Sequence, residues 1–313
     1  MRLKGEGAGH RCASRDAPLA LTLLALVLTA CASAQPQGSP SAPLAALPER
    51  GAYLAFRSAH PGLPEPNYLP FMLHRFSGLD PGGDVLAFCR WSEEQLPLAV
   101  SIEEPRIPKA LENEFAPKPA GLYVHAVERA LAAWEAALGG LVTFRRTGPG
   151  ETATLRIRLL GEMAPTPEPD VAVLGTTPLG GACRAQGFDP TGERLLVRYS
   201  VPEVRLYIAD GFGLLTEDQV ERVALHELGH ALGMRGHSPI PADLMYEVAR
   251  DGSLAAALTP EDVRSFVALY QIPNGTVFGR RRPVEAAVPV PAGPPAGAPR
   301  LTAEPRQDLR HGF

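Results

Sequence analysis

HELGHALGMRGHSPIPADLMY, running from His226 to Tyr246, is the stretch on which the reading of this chain turns. His226 and His230 are four residues apart, so on a helix they leave one face about one turn from each other. That separation suits two imidazole nitrogens on a single tetrahedral zinc ion. Glu227 flanks the same face. From there it reaches a metal-bound water rather than the metal, which is the position of a general base. Gly233 takes the left-handed turn that stops the helix. The chain must turn back at that point if a third ligand is to meet the other two. His237 follows, and Met245 comes after a Pro-containing loop. Three of the eight histidines in the chain fall between 226 and 237.

The flanking sequence supplies a frame for this helix. It begins at Thr216, where TEDQ is a capping box: Thr216 caps free backbone N–H groups and Gln219 reaches back. A later helix starts in LTPEDV, with Thr259 as cap and Pro260 at the first helical position. Glu261 and Asp262 there face the positive end of the helix dipole. Val263, Phe266, Val267 and Tyr270 give it a core face. The first clear helix is GLYVHAVERALAAWEAALGG, in which Val127, Leu131, Trp134 and Leu138 form one stripe. Leu96–Ile102 alternates as a strand does. LVTFRR and ATLRIRLL also read as strands, the latter with Leu155, Ile157 and Leu159 on one face and Arg156 and Arg158 on the other. RLLVRYS and EVRLYIA are two further strands. Gly161 to Gly192 reads as loops with room for one more strand.

The set His226, Glu227, His230, Gly233, His237-Ser238 and Met245-Tyr246 resembles the metzincin clan of zinc endopeptidases, and most of all its matrixin branch. PLAVSI, AVERALAAWEAALGGLVTFRRT and ATLRIRLL resemble the matrixin opening of strand, helix, strand, strand. LTPEDVRSFVALY resembles its closing helix. The resemblance spans roughly residues 90–272 and is most specific around the histidines. It implies an α+β fold: a twisted mixed sheet with a long first helix, an active-site helix and a C-terminal helix. It implies Zn2+ on His226, His230 and His237, with Glu227 as catalytic base and Met245 as the packing floor beneath the metal. Tyr246 then reads as pocket wall or packing rather than catalyst. The substrates it implies are proteins or peptides, hydrolysed without a covalent enzyme intermediate. Structural Ca2+ is common in that family, but no compact Asp-rich loop in this sequence fixes it.

Two departures matter. The familiar pattern places its third histidine six residues after the second, whereas here His237 comes seventh. The extra residue falls in a loop, where the backbone freedom of Gly236 absorbs it. His237 is therefore the first choice of ligand. Glu247 is the second, because EVARD echoes the Glu-x-x-x-Asp helix of thermolysin-like enzymes, and Asp243 the third. The other departure is the absence of the matrixin latency segment with its cysteine. Cys89, in FCRW, is open to a zinc-capping role, to an unpaired buried thiol like Cys183, or to a disulfide with Cys183, and the disulfide is favoured.

The ends of the chain point to export. A basic start is followed by the apolar run Leu19–Ala30, too short to span a bilayer, and residues 1–30 read as a signal peptide. Leu28-Thr29-Ala30-Cys31 resembles a bacterial lipobox, with Cys31 lipidated; cleavage after Ala32-Ser33-Ala34 is the alternative. Either route leads to the cell envelope or the exterior, and two remaining cysteines in an oxidising compartment suggest a bridge. Residues 31–50 read as a flexible tether, and 51–87 as an N-terminal wrap or a short pro-segment. The zinc protease domain is expected over 88–272. Residues 273–313, rich in Pro, Ala and Arg, read as a disordered tail, with GRRRP at Gly279–Pro283 a solvated basic stretch. His74 and His125 are expected to be core or surface residues rather than ligands. The net charge of −4 with 20% charged residues gives no reason for nucleic acid or an anionic membrane as partner. A membrane enters only through the N-terminal lipid, and oligomeric state is not set. Two other functions stay open: a metzincin-fold module that binds without cleaving, and a zinc amidase acting on cell-wall crosslinks.

Overall fold

The structure, a computed structural model, describes residues 49–107, 111, 120–148, 150–162, 173–210, 213–247 and 257–281. The signal segment, Cys31, most of the tether and the chain after 281 lie outside the described residues. In chain order there are helix α1 (Arg50–Ala59) and strands β1 (Leu73–Asp80), β2 (Gly83–Phe88) and β3 (Leu98–Glu103). Helix α2 (Ala120–Ala137) follows, then strands β4 (Phe144–Arg146), β5 (Leu155–Leu160), β6 (Gly175–Thr176), β7 (Cys183–Phe188) and β8 (Leu195–Tyr199). Next come strands β9 (Glu203–Tyr207), β10 (Ala209–Asp210) and β11 (Gly213–Leu214). Helices α3 (Glu217–Leu232) and α4 (Pro260–Gln271) and strand β12 (Val277–Arg281) complete the described chain.

Alternation in β5 sets the main sheet. Leu155, Ile157 and Leu159 are buried, while Arg156 and Arg158 turn to the other face and form ion pairs with Glu103 of β3 and Glu203 of β9. Exposed pairs of this kind add little stability; their effect is to keep that face polar and direct the apolar face inward. The strand order is β4-β3-β5-β9-β6. The first four run parallel, and β6 closes one edge antiparallel to β9. Helices α2 and α3 pack together, α2 also touching β3 and α3 also touching β9 and β6. The α2 stripe of Val127, Leu131, Trp134 and Leu138 is buried as its spacing implies. Trp134 fixes three helices at once. Its indole N–H donates to the Leu225 carbonyl at 2.9 Å, and its ring meets Phe266 of α4 edge-on at 4.6 Å. This is the α+β arrangement the sequence implies, with a long first helix, a motif-bearing helix and a C-terminal helix.

The packed chain extends past the expected limits at 88 and 272 on both sides. A second sheet has the order β1-β2-β12, with β2 in the middle. Tyr53, Phe56, Tyr68, Leu69 and Met72 belong to the same core as the helices. Beyond 272, Phe278 of β12 lies against Phe56 and Phe88, at 5.3 and 5.7 Å between ring centroids. The start of the basic run is therefore strand, not tail: Arg280 pairs with Asp80 at 3.0 Å and its guanidinium lies over the Phe188 ring. Composition averaged over 273–313 hides this strand, because five residues of β12 are outnumbered by the Pro- and Ala-rich sequence after them.

Three other expectations shift. The stretch 161–192 holds two strands, β6 and β7, rather than one. On α4, Phe266 and Tyr270 are buried but Val263 and Val267 are only partly so; Asp262, Ser265, Ala268 and Leu269 are buried in their place. The helix is covered by the N-terminal segment as well, through a Tyr68 N–H to Ser265 Oγ bond of 2.8 Å, so a one-sided amphipathic reading misplaces its core face. Cys89 and Cys183 form a disulfide, with Cα atoms 6.1 Å apart, which leaves Cys89 no free thiol to cap a metal. Closing a loop over 94 residues of sequence is worth about 4–5 kcal/mol on the chain-entropy argument. Among the described residues, no helix is long and apolar enough to cross a membrane.

Candidate metal centre

Helix α3 is built to hold its C-terminal half rigid. Its start is the capping box read from TEDQ: the Gln219 N–H donates to Thr216 Oγ1 at 3.2 Å and the Thr216 N–H donates to Gln219 Oε1 at 2.8 Å. Its end is buried, so the last carbonyls, which have no partner within the helix, need donors from elsewhere. The Met234 N–H reaches the Gly229 carbonyl at 3.2 Å. Tyr199 Oη donates to His230 O at 3.2 Å, Trp91 Nε1 to Ala231 O at 2.9 Å and Tyr270 Oη to Leu232 O at 3.0 Å. No local signal reveals these partners, because two of them lie 31 and 140 residues away in sequence. Gly233 then turns the chain with φ of +131°, and a Cβ there would lie 2.8 Å from a Leu269 methyl.

The structure brings His226, His230 and His237 together. Nε2 of His230 lies 3.1 Å from Nε2 of His226 and 3.2 Å from Nε2 of His237, and one nitrogen from each ring falls within 4.8 Å of the others. Three nitrogens about 2.0–2.1 Å from one tetrahedral zinc ion stand roughly 3.3 Å from each other, so the spacing fits. The tautomers fit too. Nδ1 of His226 faces the Leu244 carbonyl and Nδ1 of His230 faces the Met234 carbonyl, both at 2.7 Å. A carbonyl only accepts, so each Nδ1 carries the proton and each Nε2 presents a lone pair. Two lone pairs facing one another at 3.1 Å repel unless a cation lies between them. Burial pulls the pKa of His226 down to about 4 and that of His230 to about 3. His237 is lowered for the same reason, and all three rings are thus held in the neutral form that ligates metal.

The alternative ligands are placed elsewhere. Asp243 is buried, with its oxygens taken by the hydroxyls of Tyr68, Ser238 and Thr259. Glu247 is exposed and does not join the group of ligand atoms around the histidines. Gly236 proves to matter for space rather than for backbone angles. Its φ is not positive, but a Cβ on it would press on the Phe71 side chain at 3.3 Å. Met245 is fully buried, and a Cβ on Gly229 would run into its sulfur. The glycine inside the helix motif thus makes room for the methionine. Tyr246 is half-buried. His74 is a buried core residue whose ring meets Tyr199 edge-on at 5.9 Å, and His125 is exposed on α2.

Glu227 is 6% exposed and lies beside edge strand β6. Burial pushes its carboxyl up to about 7, against the pull of a hydrogen bond from Thr177. That bond, Thr177 Oγ1 to Glu227 Oε2, is 2.6 Å long. Thr177 was not singled out from the sequence, since it lies 50 residues before Glu227 in a stretch read as loop.

Helix α3, the loop carrying His237, and α4 coincide with a recognised family pattern: residues 208–271 match the model of the matrixin family, peptidase family M10. That span holds the three histidines and is what the chain shares with the matrixin pattern. No curated protein matches the chain. Within the matrixin segment the three histidines form a metal-binding triad of the metzincin type. Both sheets of three or more strands, as well as α1 and α2, contribute residues from outside the matched span to its support.

Proposed function

We propose that this protein is an exported zinc endopeptidase in which Glu227 is the general base. The observation that carries the reading is the convergence of three neutral imidazoles with a buried carboxylate next to the first of them. His226, His230 and His237 would hold the ion. When bound, zinc supplies Lewis acidity, acidifying water towards neutral pH and polarising the scissile carbonyl. Glu227 accepts the proton of the attacking water and passes it to the departing amine. Thr177 holds one carboxylate oxygen and leaves the other for that exchange. Among the described residues, strand β6 pairs with β9 on one side only, which supports an extended peptide adding to its outer edge as a further strand. The apolar run Leu19–Ala30 and the Leu28–Cys31 segment support export with a lipid anchor at Cys31.

The test is cleavage by the full chain of a broad peptide library and, separately, of peptidoglycan. Peptide cleavage that stops on chelation and returns with zinc is expected. A zinc-loaded protein that leaves every peptide intact would make it a binding module, and one that opens only peptidoglycan would make it an amidase. A second expectation concerns Gly175. A Cβ there would lie 2.5 Å from Glu227 Cγ and 2.6 Å from its Oε1, so Gly175→Ala must displace the base. A misplacement of about 1 Å costs on the order of 10²-fold in rate. Gly175→Ala is expected to lose about that in kcat, with zinc content unchanged. Normal turnover in this variant would show that the carboxylate position is not critical.

A further inference from the structure

His226 and His230 are fixed by their helix, whereas His237 lies on a loop and needs other supports. Two of those supports come from Tyr68 and Phe71, far outside the matrixin segment. Immediately before His237, the Gly236 N–H donates to the Phe71 carbonyl at 2.9 Å. Immediately after it, Ser238 is held by several bonds. Its hydroxyl oxygen accepts the Ile240 N–H at 3.0 Å. Its N–H donates to the Met245 carbonyl at 2.7 Å, and its hydroxyl donates to Asp243 Oδ2 at 2.5 Å. The same Asp243 oxygen accepts the Tyr68 hydroxyl, also at 2.5 Å, and the other oxygen accepts Thr259 Oγ1 at 3.1 Å.

We propose that Tyr68 and Phe71 are positioning residues for the third zinc ligand, and that the segment bearing them is a permanent wall of the metal site. The inference rests on the zinc reading above. The segment is itself anchored on both sides. Leu69 and Met72 are fully buried, the Phe71 N–H closes a turn on the Tyr68 carbonyl, and the Tyr68 N–H is held by Ser265. Tyr68 and Asp243 are both almost wholly buried, so water does not replace the tyrosine hydroxyl if it is removed. Asp243 would then keep Ser238 and Thr259 but lose the bond that ties it to the N-terminal segment. The loop would gain freedom next to His237 and pay for it in ligand geometry. A pro-segment that leaves the enzyme on activation could not serve in this way.

The experiment compares full-length wild type, Tyr68→Phe and Tyr53→Phe. Tyr53 is a control on α1; its hydroxyl bonds Glu65 and Asn67, not Tyr68, Phe71 or the loop that carries His237. Zinc affinity is read by competition with a chromophoric chelator, and thermal unfolding of each metal-free form is recorded alongside. Tyr68→Phe is expected to bind zinc about 10-fold or more weakly, the range seen when an outer partner of a ligand is lost. Tyr53→Phe is expected to bind as wild type does, even where its melting temperature falls as far. If Tyr68→Phe does not fold, Asp243→Asn carries the same comparison. Wild-type affinity in the Tyr68 or Asp243 variant overturns the proposal, as does an equal loss in the Tyr53 control. Absence of zinc binding by the wild type would instead remove the zinc reading, and this inference with it.

Discussion

Glu227→Gln is expected to abolish nearly all turnover while leaving the metal in place. The amide matches the carboxylate in size, and its oxygen still accepts the Thr177 hydroxyl that now holds Oε2 at 2.6 Å. It cannot take a proton from water. General bases contribute about 10²–10⁴-fold to rate, so kcat should fall by about 10³-fold or more. KM and zinc content should stay near wild type, because Glu227 is not among the three converging ligands. The folded state should be no less stable, since burial already disfavours the charged carboxylate. Parallel measurement of kcat and bound zinc decides the matter. A glutamine variant retaining a tenth of the activity or more would take the general-base role away from this residue.

His237→Ala should fail in the opposite way, by losing the ion. The late position of this histidine is the feature that spacing alone leaves unsettled. Removing it leaves two imidazoles on one helix, and the alternative carboxylates, Asp243 and Glu247, are placed elsewhere. Loss of a supporting group around a ligand costs about 10–100-fold in affinity, and loss of the ligand itself should exceed the upper end of that range. Glu247→Gln is the natural comparison and should bind zinc normally. Because His237 is only half-buried, the alanine variant should still fold, so metal loss can be told apart from unfolding by its far-UV dichroism. Equal zinc occupancy in wild type and His237→Ala would reject the third ligand.

What was legible in the sequence was local. The capping box at Thr216, the stripe on α2, the alternation of β5 and the pair His226/His230 all follow from residues within a few turns of one another. Spacing on a helix fixes two ligands, but a loop has no period, so His237 had to wait for three-dimensional placement. Gly236 shows the limit of reasoning by residue type. A glycine suggests unusual backbone angles, yet here it serves close approach to Phe71. The pairing of Tyr68 with Asp243 was out of reach altogether. Their bond spans 175 residues, and nothing near either of them marks it. The same holds for β12, where Val277 and Phe278 are two apolar residues at the edge of a basic, Pro-rich region.

The aromatic donors at the end of α3 carry a last consequence. Trp91 and Tyr199 lie before residue 208, outside the span that matches the family, while Tyr270 lies just inside it. A peptide trimmed to 208–271 would contain every ligand and still leave the His230 and Ala231 carbonyls short of the indole and the phenol that meet them. The signature by which such a protein is recognised is therefore smaller than the unit able to assemble it.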